Sequence, residues 1–306
     1  MSSSLGPITL ICNHGAGRGG VGKSLPEITA HLDRRELDYS IVHTDAPGHA
    51  IELARRALED GSRFLVAVGG DGTIHEVVNG MIEDDRAVNP EAVLGVVAAG
   101  TGSDFIKTFG LPSMPAHAVA HLDGPESFPI DIGKVTYVDD GRTVVRYFHN
   151  IAEVGLGARV AARAARLPRL LGPTVYFFAF WIELIRHKSM PATVDLVDRT
   201  HDGYVDNIVV ANGQFFGGGM KIAPKAAPTD GLLDVQIHSA PKKEAIALLP
   251  KIYKGEHLPH PNIHEAKRVR ISIDGPEPLP IEADGESLGH TPATFEVLRD
   301  AISLKV

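Results

Sequence analysis

Cysteine is almost missing from this chain. Cys12 is the only one in 306 residues. That excludes a disulfide framework and a cysteine-based zinc site, and it fits a reducing compartment. Long apolar runs are missing as well. None reaches the roughly 20 residues that span a bilayer. The first apolar stretch, Ile8 to Cys12, is too short for a secretory signal and has no basic region before it. A cytoplasmic protein is therefore expected, with peripheral contact at the inner membrane face left open. Positive charge is also scarce. The net charge of −8 is the reverse of a nucleic-acid binder's footprint, so no nucleic-acid partner is expected. An acidic phosphate substrate is not excluded, because Mg2+ can supply the positive charge. The histidines show no close HxH or HExxH spacing, which leaves no transition-metal site to assign.

What is present is the composition of a soluble globular protein, 43% hydrophobic and 22% charged. The length allows one large domain or two ordinary ones. The chain turns on the stretch from Arg63 to Glu76. Phe64 to Val68 are apolar and rich in β-branched residues, and Gly69 and Gly70 stop the run. That predicts a short buried parallel strand. From Thr73 the spacing changes, with Ile74, Val77, Val78 and Met81 on one helical face. A strand thus feeds a helix through Gly69-Gly70-Asp71-Gly72-Thr73. The glycines permit a sharp turn and close approach by another group. A helix start offers free N–H groups to phosphate. Asp71 suits such a site only with a cation between it and the phosphate.

The same grammar recurs along the first half. Ile8 to Cys12 predicts a strand, followed by the glycine-rich stretch Asn13 to Ser24. Gly17 to Ser24 spells the P-loop pattern G-x-x-x-x-G-K-[ST]. Its strand ends several residues too early, and Pro26 follows closely in the helix. The match therefore reads as a decoy within a nucleotide loop. Tyr39 to His43 predicts a strand and His49 to Glu59 a helix, capped by Thr44 or Asp45. Ala92 to Ala98 predicts another strand, running into the second glycine turn, Ala99 to Lys107. Strand, glycine loop and helix in series predict a parallel α/β sheet, with ligands beyond the carboxyl ends of its strands.

After Pro129 the pattern becomes antiparallel. Strands are predicted at Ile130 to Tyr137, Thr143 to Ile151, Thr193 to Val197, Tyr204 to Ala211 and Leu232 to His238. Further ones follow at Arg268 to Ile273, Pro280 to Ala283, Ala293 to Val297 and Ile302 to Val306. Leu170 to Ile182 is a charge-free aromatic stretch flanked by Arg163, Arg166, Arg169, Arg186, His187 and Lys188. It reads either as a buried helix or as an apolar surface meeting lipid, with cations at anionic headgroups.

Several motifs together resemble the diacylglycerol kinase catalytic-domain family, and within it the small bacterial lipid kinases related to sphingosine kinases. They are Gly69 to Thr73, Gly100 to Phe105, Ile130 to Gly133, Asn150 to Gly157, Gly217 to Pro224, Asp230 to Leu233 and Asp284-Gly285-Glu286. They stand in family order over nearly the whole chain. The first motif alone is shared with NAD kinases. The chain departs from the family at His75 and Ser103, where Asn is usual, and near His14 and Ala16, where Pro and Ser are usual.

The resemblance implies a two-domain fold. Residues 1–128 would form an α/β nucleotide domain with a parallel sheet, and residues 129–300 an antiparallel β-sandwich that takes the lipid. Residues 301–306 would return to the first domain. It implies ATP and Mg2+ as cofactors and a lipid at a membrane surface as partner. Exposed β edges leave a homodimer open. Asn13, Gly17, Thr44, Gly70, Asp71, Gly72, Thr73, Glu76, Thr101 and Asp104 would hold the nucleotide. Asp71, Asp104 and Asp131 would organise Mg2+. Asp230 would hold a second Mg2+ with the carbonyls of Ala227 and Leu232. Glu286 would be the base, with Asp284 close behind.

Phosphoryl transfer suits this residue set, because it asks for in-line positioning and charge neutralisation more than covalent chemistry. Carboxylates at turns supply Mg2+ ligands and a proton acceptor. Asp131, Asp230 and Asp284 could each also serve as plain turn or edge residues. The expected activity is ATP-dependent phosphorylation of a lipid hydroxyl. A soluble-substrate kinase of the NAD kinase type and a silent nucleotide- or lipid-binding regulator are the alternatives.

Overall fold

The structure is a computed structural model that describes residues 5–15, 20–98, 103–167 and 174–306. The chain divides into two compact units, Met1–Ile132 with Leu298–Val306, and Gly133–Val297.

The first unit holds β1 (Ile8–Cys12), α1 (Gly20–Arg34), β2 (Tyr39–His43), α2 (His49–Glu59), β3 (Phe64–Gly69), α3 (Asp71–Met81), β4 (Ile82–Glu83), β5 (Arg86–Ala87), β6 (Val93–Ala98), α4 (Asp104–Phe109) and α5 (Pro115–Ala120). Strands β2, β1, β3 and β6 lie side by side in that order, all parallel. Their apolar runs follow from burial on both faces: β1, β3 and β6 are buried along their whole lengths. Ile8, Leu10 and Cys12 join Phe64, Val66 and Val68 in one core with Val21, Ile28 and Leu32 of α1. Truncating one of these large side chains, such as Phe64, would cost about 3–5 kcal/mol. The chain end returns to this sheet, with Ser303 and Leu304 parallel to Val93 and Leu94.

Strand β7 (Ser127–Asp139) leads into the second unit. There follow β8 (Arg142–Phe148), β9 (Ile151–Gly155), α6 (Leu156–Arg166), α7 (Val175–Arg186), β10 (Met190–Asp195), β11 (Thr200–Val205), β12 (Asn207–Ala211), β13 (Leu233–His238), α8 (Lys242–Lys254), β14 (Ile263–Arg268), β15 (Arg270–Asp274), β16 (Pro280–Ala283) and β17 (Glu286–Lys305). One antiparallel run is ordered β14, β13, β12, β9, β16, β17, and another is ordered β11, β10, β15, β17. The shared core between them includes Phe148, Val154, Val194, Val210, Val235, Ile281 and Phe295. This is the expected sandwich-like domain, and the first unit is the expected parallel α/β domain.

Some boundaries differ from expectation. Tyr204 to Ala211 is two strands rather than one, broken at Asp206. The Asp206 carboxylate accepts from His187 and Ser189, each at 2.8 Å, while its carbonyl takes the Leu156 N–H at the start of α6. Ala293 to Val297 and Ile302 to Lys305 are parts of one strand, β17, which ends one residue before Val306. Strand β14 was not expected, because only Ile263 in it is buried. Pro26 sits in the seventh position of α1, and the Ser24 hydroxyl donates to Gly20 O at 3.0 Å. Among the described residues no helix is long and apolar enough to cross a membrane.

Candidate active site

In the first unit the site is built where strands end. Gly69 closes β3 because Thr73 packs where a side chain would stand: a Cβ on Gly69 would overlap the Thr73 hydroxyl. Gly70 is extended, and its carbonyl accepts the N–H groups of Thr73 and Ile74 at 2.9 and 3.2 Å. That starts α3 at Asp71, with a carboxylate in the first turn, where the helix dipole favours it. Space is open over Gly72.

Asp71 laces the two glycine turns together. Its oxygens accept the backbone N–H groups of Asp104 at 3.0 Å and Phe105 at 3.1 Å, at the start of α4. Each oxygen keeps a second lone-pair direction for another partner. Ser103, just before, is left-handed at φ 45°, a conformation Asn tolerates better than Ser. Asp104 is buried, with the Lys107 ammonium at 2.8 Å from its carboxylate. Asp131 is buried and accepts the Asp300 N–H at 3.0 Å. It thereby holds the segment Leu298–Val306 of the same unit.

Around the other strand ends, Asn13 accepts the Gly15 N–H at 3.0 Å through its side chain. The Thr44 N–H bonds to the Cys12 carbonyl. The rings of His14 and His43 meet, Nε2 to Nδ1 at 2.7 Å. Gly17 and Thr101 lie outside the described residues. The expected cap of α2 is corrected. Gly48 is the N-cap, with no side-chain bond of its own, and neither Thr44 nor Asp45 does the work. Glu76 of α3 does it instead, accepting the Gly48 and Ala50 N–H groups at 2.8 and 3.0 Å. It thereby fixes the start of α2, four residues after Thr44.

In the second unit, Asp284 and Gly285 form a tight hairpin turn between β16 and β17, with φ of 50° and 88°. Two left-handed residues make the type of turn that matches strand twist, and Asp-Gly suits it. The Asp284 side chain is buried. It accepts N–H groups of His149, Asn150 and Ile151 at 2.9, 3.0 and 3.1 Å, with His149 Nδ1 also 2.7 Å away. Asn150 and Asn212 extend the network to the carbonyls of Phe215 and His149. Glu286, by contrast, is exposed. The two acids of the motif have different work: Asp284 ties the turn to the start of β9, and Glu286 projects beyond it. The sequence signal for this partner was the Asn150 to Gly157 motif, which had been assigned no role.

Two family models cover the chain. That of the diacylglycerol kinase catalytic domain matches residues 7–135, and that of the YegS C-terminal NAD kinase beta sandwich-like domain matches residues 150–306. The chain belongs to the diacylglycerol kinase catalytic-domain family. It is 30% identical to a diacylglycerol kinase of Staphylococcus epidermidis, over 96% of this chain and 90% of that one. It is 28% identical to a diacylglycerol kinase of Mycobacterium tuberculosis, over 96% of each. A solved diacylglycerol kinase from Bacillus anthracis shares the fold, with a TM-score of 0.69, 21% identity, and coverage of 98% of this chain and 96% of that one.

A kinase of this family usually uses a divalent metal, and the two expected metal sets differ as sites for one. Asp71, Asp104 and Asp131 offer oxygen donors, the chemistry Mg2+ takes. But Asp104 is paired with the Lys107 ammonium at 2.8 Å, Asp131 with the Asp300 N–H, and the three carboxylates do not all come within 4.8 Å of one another. The second set does not fit as it stands. The Lys267 ammonium occupies it, 2.7 Å from Asp230, 3.1 Å from Asp234 and 3.0 Å from the Lys225 carbonyl. The Ala227 carbonyl already accepts from Thr229 and Asp230, and the Leu232 N–H donates to Asp230 at 3.0 Å. A side-chain cation, Lys267, thus stands where the second Mg2+ was expected, on Ala227, Asp230 and Leu232.

Proposed function

We propose that the chain is an ATP-dependent lipid kinase, moving the γ-phosphoryl group to the hydroxyl of a lipid such as diacylglycerol. The observation that carries this reading is Asp71, which joins both glycine turns in a chain of this family. The open space over Gly72 and the start of α3 suit the phosphates. Asp71, Asp104 and Asp131 would hold Mg2+, which when bound neutralises charge on the phosphate oxygens. Glu286 is the better-placed base, because it is exposed while the Asp284 oxygens are taken by backbone N–H groups. A carboxylate that accepts the hydroxyl proton contributes on the order of 10² to 10⁴ in rate.

Helix α7 supports contact with a lipid surface. Phe177 is 60% and Ile185 74% exposed, with Tyr176 and Phe178 also outside. Arg186 and Lys188 follow, so an anionic interface complements the helix end. Replacing Phe177 and Phe178 with Glu should reduce sedimentation with anionic vesicles; unchanged binding would remove α7 from the reading.

The deciding experiment is transfer from radiolabelled ATP to a panel of lipids in micelles. Wild type should label one lipid class, and Asp71→Ala and Glu286→Ala should each lose that label. Nucleotide binding without transfer to any lipid would point to a soluble substrate or a silent regulator.

A further inference from the structure

Two buried acids of the second unit have no place in the chemistry above. Glu153 on β9 and Glu282 on β16 are directly paired in register, so their side chains leave the same face about 5 Å apart at Cβ. Both are only 4% exposed. Glu282 accepts the Gly285 N–H at 2.8 Å, closing the hairpin turn from beneath. Glu153 accepts from the Asn207 amide at 2.6 Å. It also fills the space over Gly157, where any side chain would collide with its carboxyl group. The Tyr176 hydroxyl of α7 lies near the position a Cβ on Gly285 would take, at 3.4 Å.

We propose that Glu282, braced by Glu153 on the neighbouring strand, is a positioning residue that sets the geometry of the Asp284-Gly285-Glu286 turn. Asp284 anchors one side of that turn to β9, and Glu282 anchors the other. For the rate measurement alone, the proposal rests on the lipid kinase reading.

The pair also has to hold a proton. Two adjacent buried carboxylates cannot both stay charged at little cost. Burial pushes the Glu153 carboxyl up to about 7, against the Asn207 hydrogen bond. Burial first, then the charge of Glu153, pushes Glu282 well above the usual carboxylate range. The other titratable groups facing them are Asp284 and Glu286 of the same hairpin and Tyr176 of α7. Those carboxylates add negative charge; Tyr176 is 43% exposed, while its hydroxyl end, near Gly285, is pushed up to about 12 by burial and then by Glu282 and Glu286. Near neutral pH at least one of the two carboxyls therefore keeps its proton. Its loss in alkali would set the two strands against each other directly below the turn.

The test uses the full chain and three variants, Glu153→Gln, Glu282→Gln and Glu282→Ala. Infrared pH titration should show a protonated carboxyl band in wild type that persists at neutral pH and disappears in alkali. The band should persist at neutral pH in Glu153→Gln, where burial alone still holds Glu282 above the usual carboxylate range, and should weaken in Glu282→Gln. The Gly285 amide should exchange faster in Glu282→Ala but not in Glu282→Gln, whose side-chain oxygen still accepts the N–H. In the lipid assay, Glu282→Ala should lower kcat about 10- to 100-fold, the scale of a slightly misplaced group, with KM for ATP unchanged. Glu282→Gln should restore the rate, and Glu153→Gln should lose the alkaline fall of kcat. Absence of the band in wild type, or equal Gly285 exchange in the Ala and Gln variants, would overturn the proposal. If wild type phosphorylates no lipid, the kinase reading fails, and the band and the exchange rates still decide this one.

Discussion

Replacing Asp284 separates the two acids of the hairpin motif. The Asp284 carboxylate takes three backbone N–H groups, those of His149, Asn150 and Ile151, inside the second unit. An unsatisfied buried donor costs about 1–3 kcal/mol, so Asp284→Ala faces a ceiling of about 3–9 kcal/mol. Relaxation of the loop should bring this nearer the 3–5 kcal/mol typical of removing one side of a buried charged pair, roughly. Asp284→Asn should cost somewhat less, since one oxygen still accepts while the amide group faces N–H donors. Domain stability totals only about 5–15 kcal/mol, so either change should show. The assay is urea unfolding followed by the fluorescence of Trp181, the only tryptophan, which lies on α7 in this unit. Glu286→Gln is the control. Its side chain is exposed, so its midpoint should stay within about 0.5 kcal/mol of wild type, while phosphoryl transfer drops. The reasoning is refuted if Asp284→Asn keeps the wild-type unfolding midpoint and slope yet abolishes transfer. Asp284 would then be the chemical base, and its backbone bonds incidental.

Three further outcomes follow from the same geometry. Glu76→Ala should cost about 1–2 kcal/mol, as loss of a helix cap does. Calorimetric titration with ATP separates the two roles: a loss of affinity with no loss of stability would return Glu76 to direct nucleotide contact. Wild-type unfolding read at Trp181 should be insensitive to EDTA, because Lys267 neutralises Asp230 and Asp234. Lys267→Met should make it respond to Mg2+, and an EDTA effect on wild type would show that a metal displaces the lysine. Stability should also fall as pH rises from mildly acidic to neutral. Glu153 binds its proton more tightly folded than unfolded, so its penalty is absent below 4.5 and complete above about 7. That interval corresponds to a contribution on the order of 3 kcal/mol, and Glu153→Gln should flatten it in thermal unfolding measured across this range.

The parallel strands of the first unit were legible because a strand buried on both faces must be apolar throughout, as β1, β3 and β6 are. The turn after β3 was legible because glycines stop the apolar run there, and Gly69 has no room for a side chain beside Thr73. What each carboxylate binds was not. Asp71 bonds to residues 33 and 34 positions away, Glu76 to a helix before its own strand, and Asp284 to N–H groups more than 130 positions earlier. Such partners are fixed by which strand ends fall side by side, and spacing along one segment carries no trace of that. The pairing of Glu153 with Glu282 is hidden for the same reason, since it exists only in the register of β9 against β16.

Helix α7 shows the limit from the other side, because there the composition was plain and still ambiguous. A charge-free aromatic run suggests a core helix, yet only Ala179, Glu183 and Leu184 are buried. The charged residue is inside and Phe177 is outside. Glu183 can be buried because Arg163 of α6 pairs with it, which removes most of the penalty of an isolated charge. The inner face carries Ala179 and Leu184 beside this ion pair, packed with Leu156, Val160 and Ala164 of α6, and the rings of Tyr176, Phe177 and Phe178 fall outside it as an exposed aromatic surface. Hydropathy summed along the helix could not have distinguished it from a buried one.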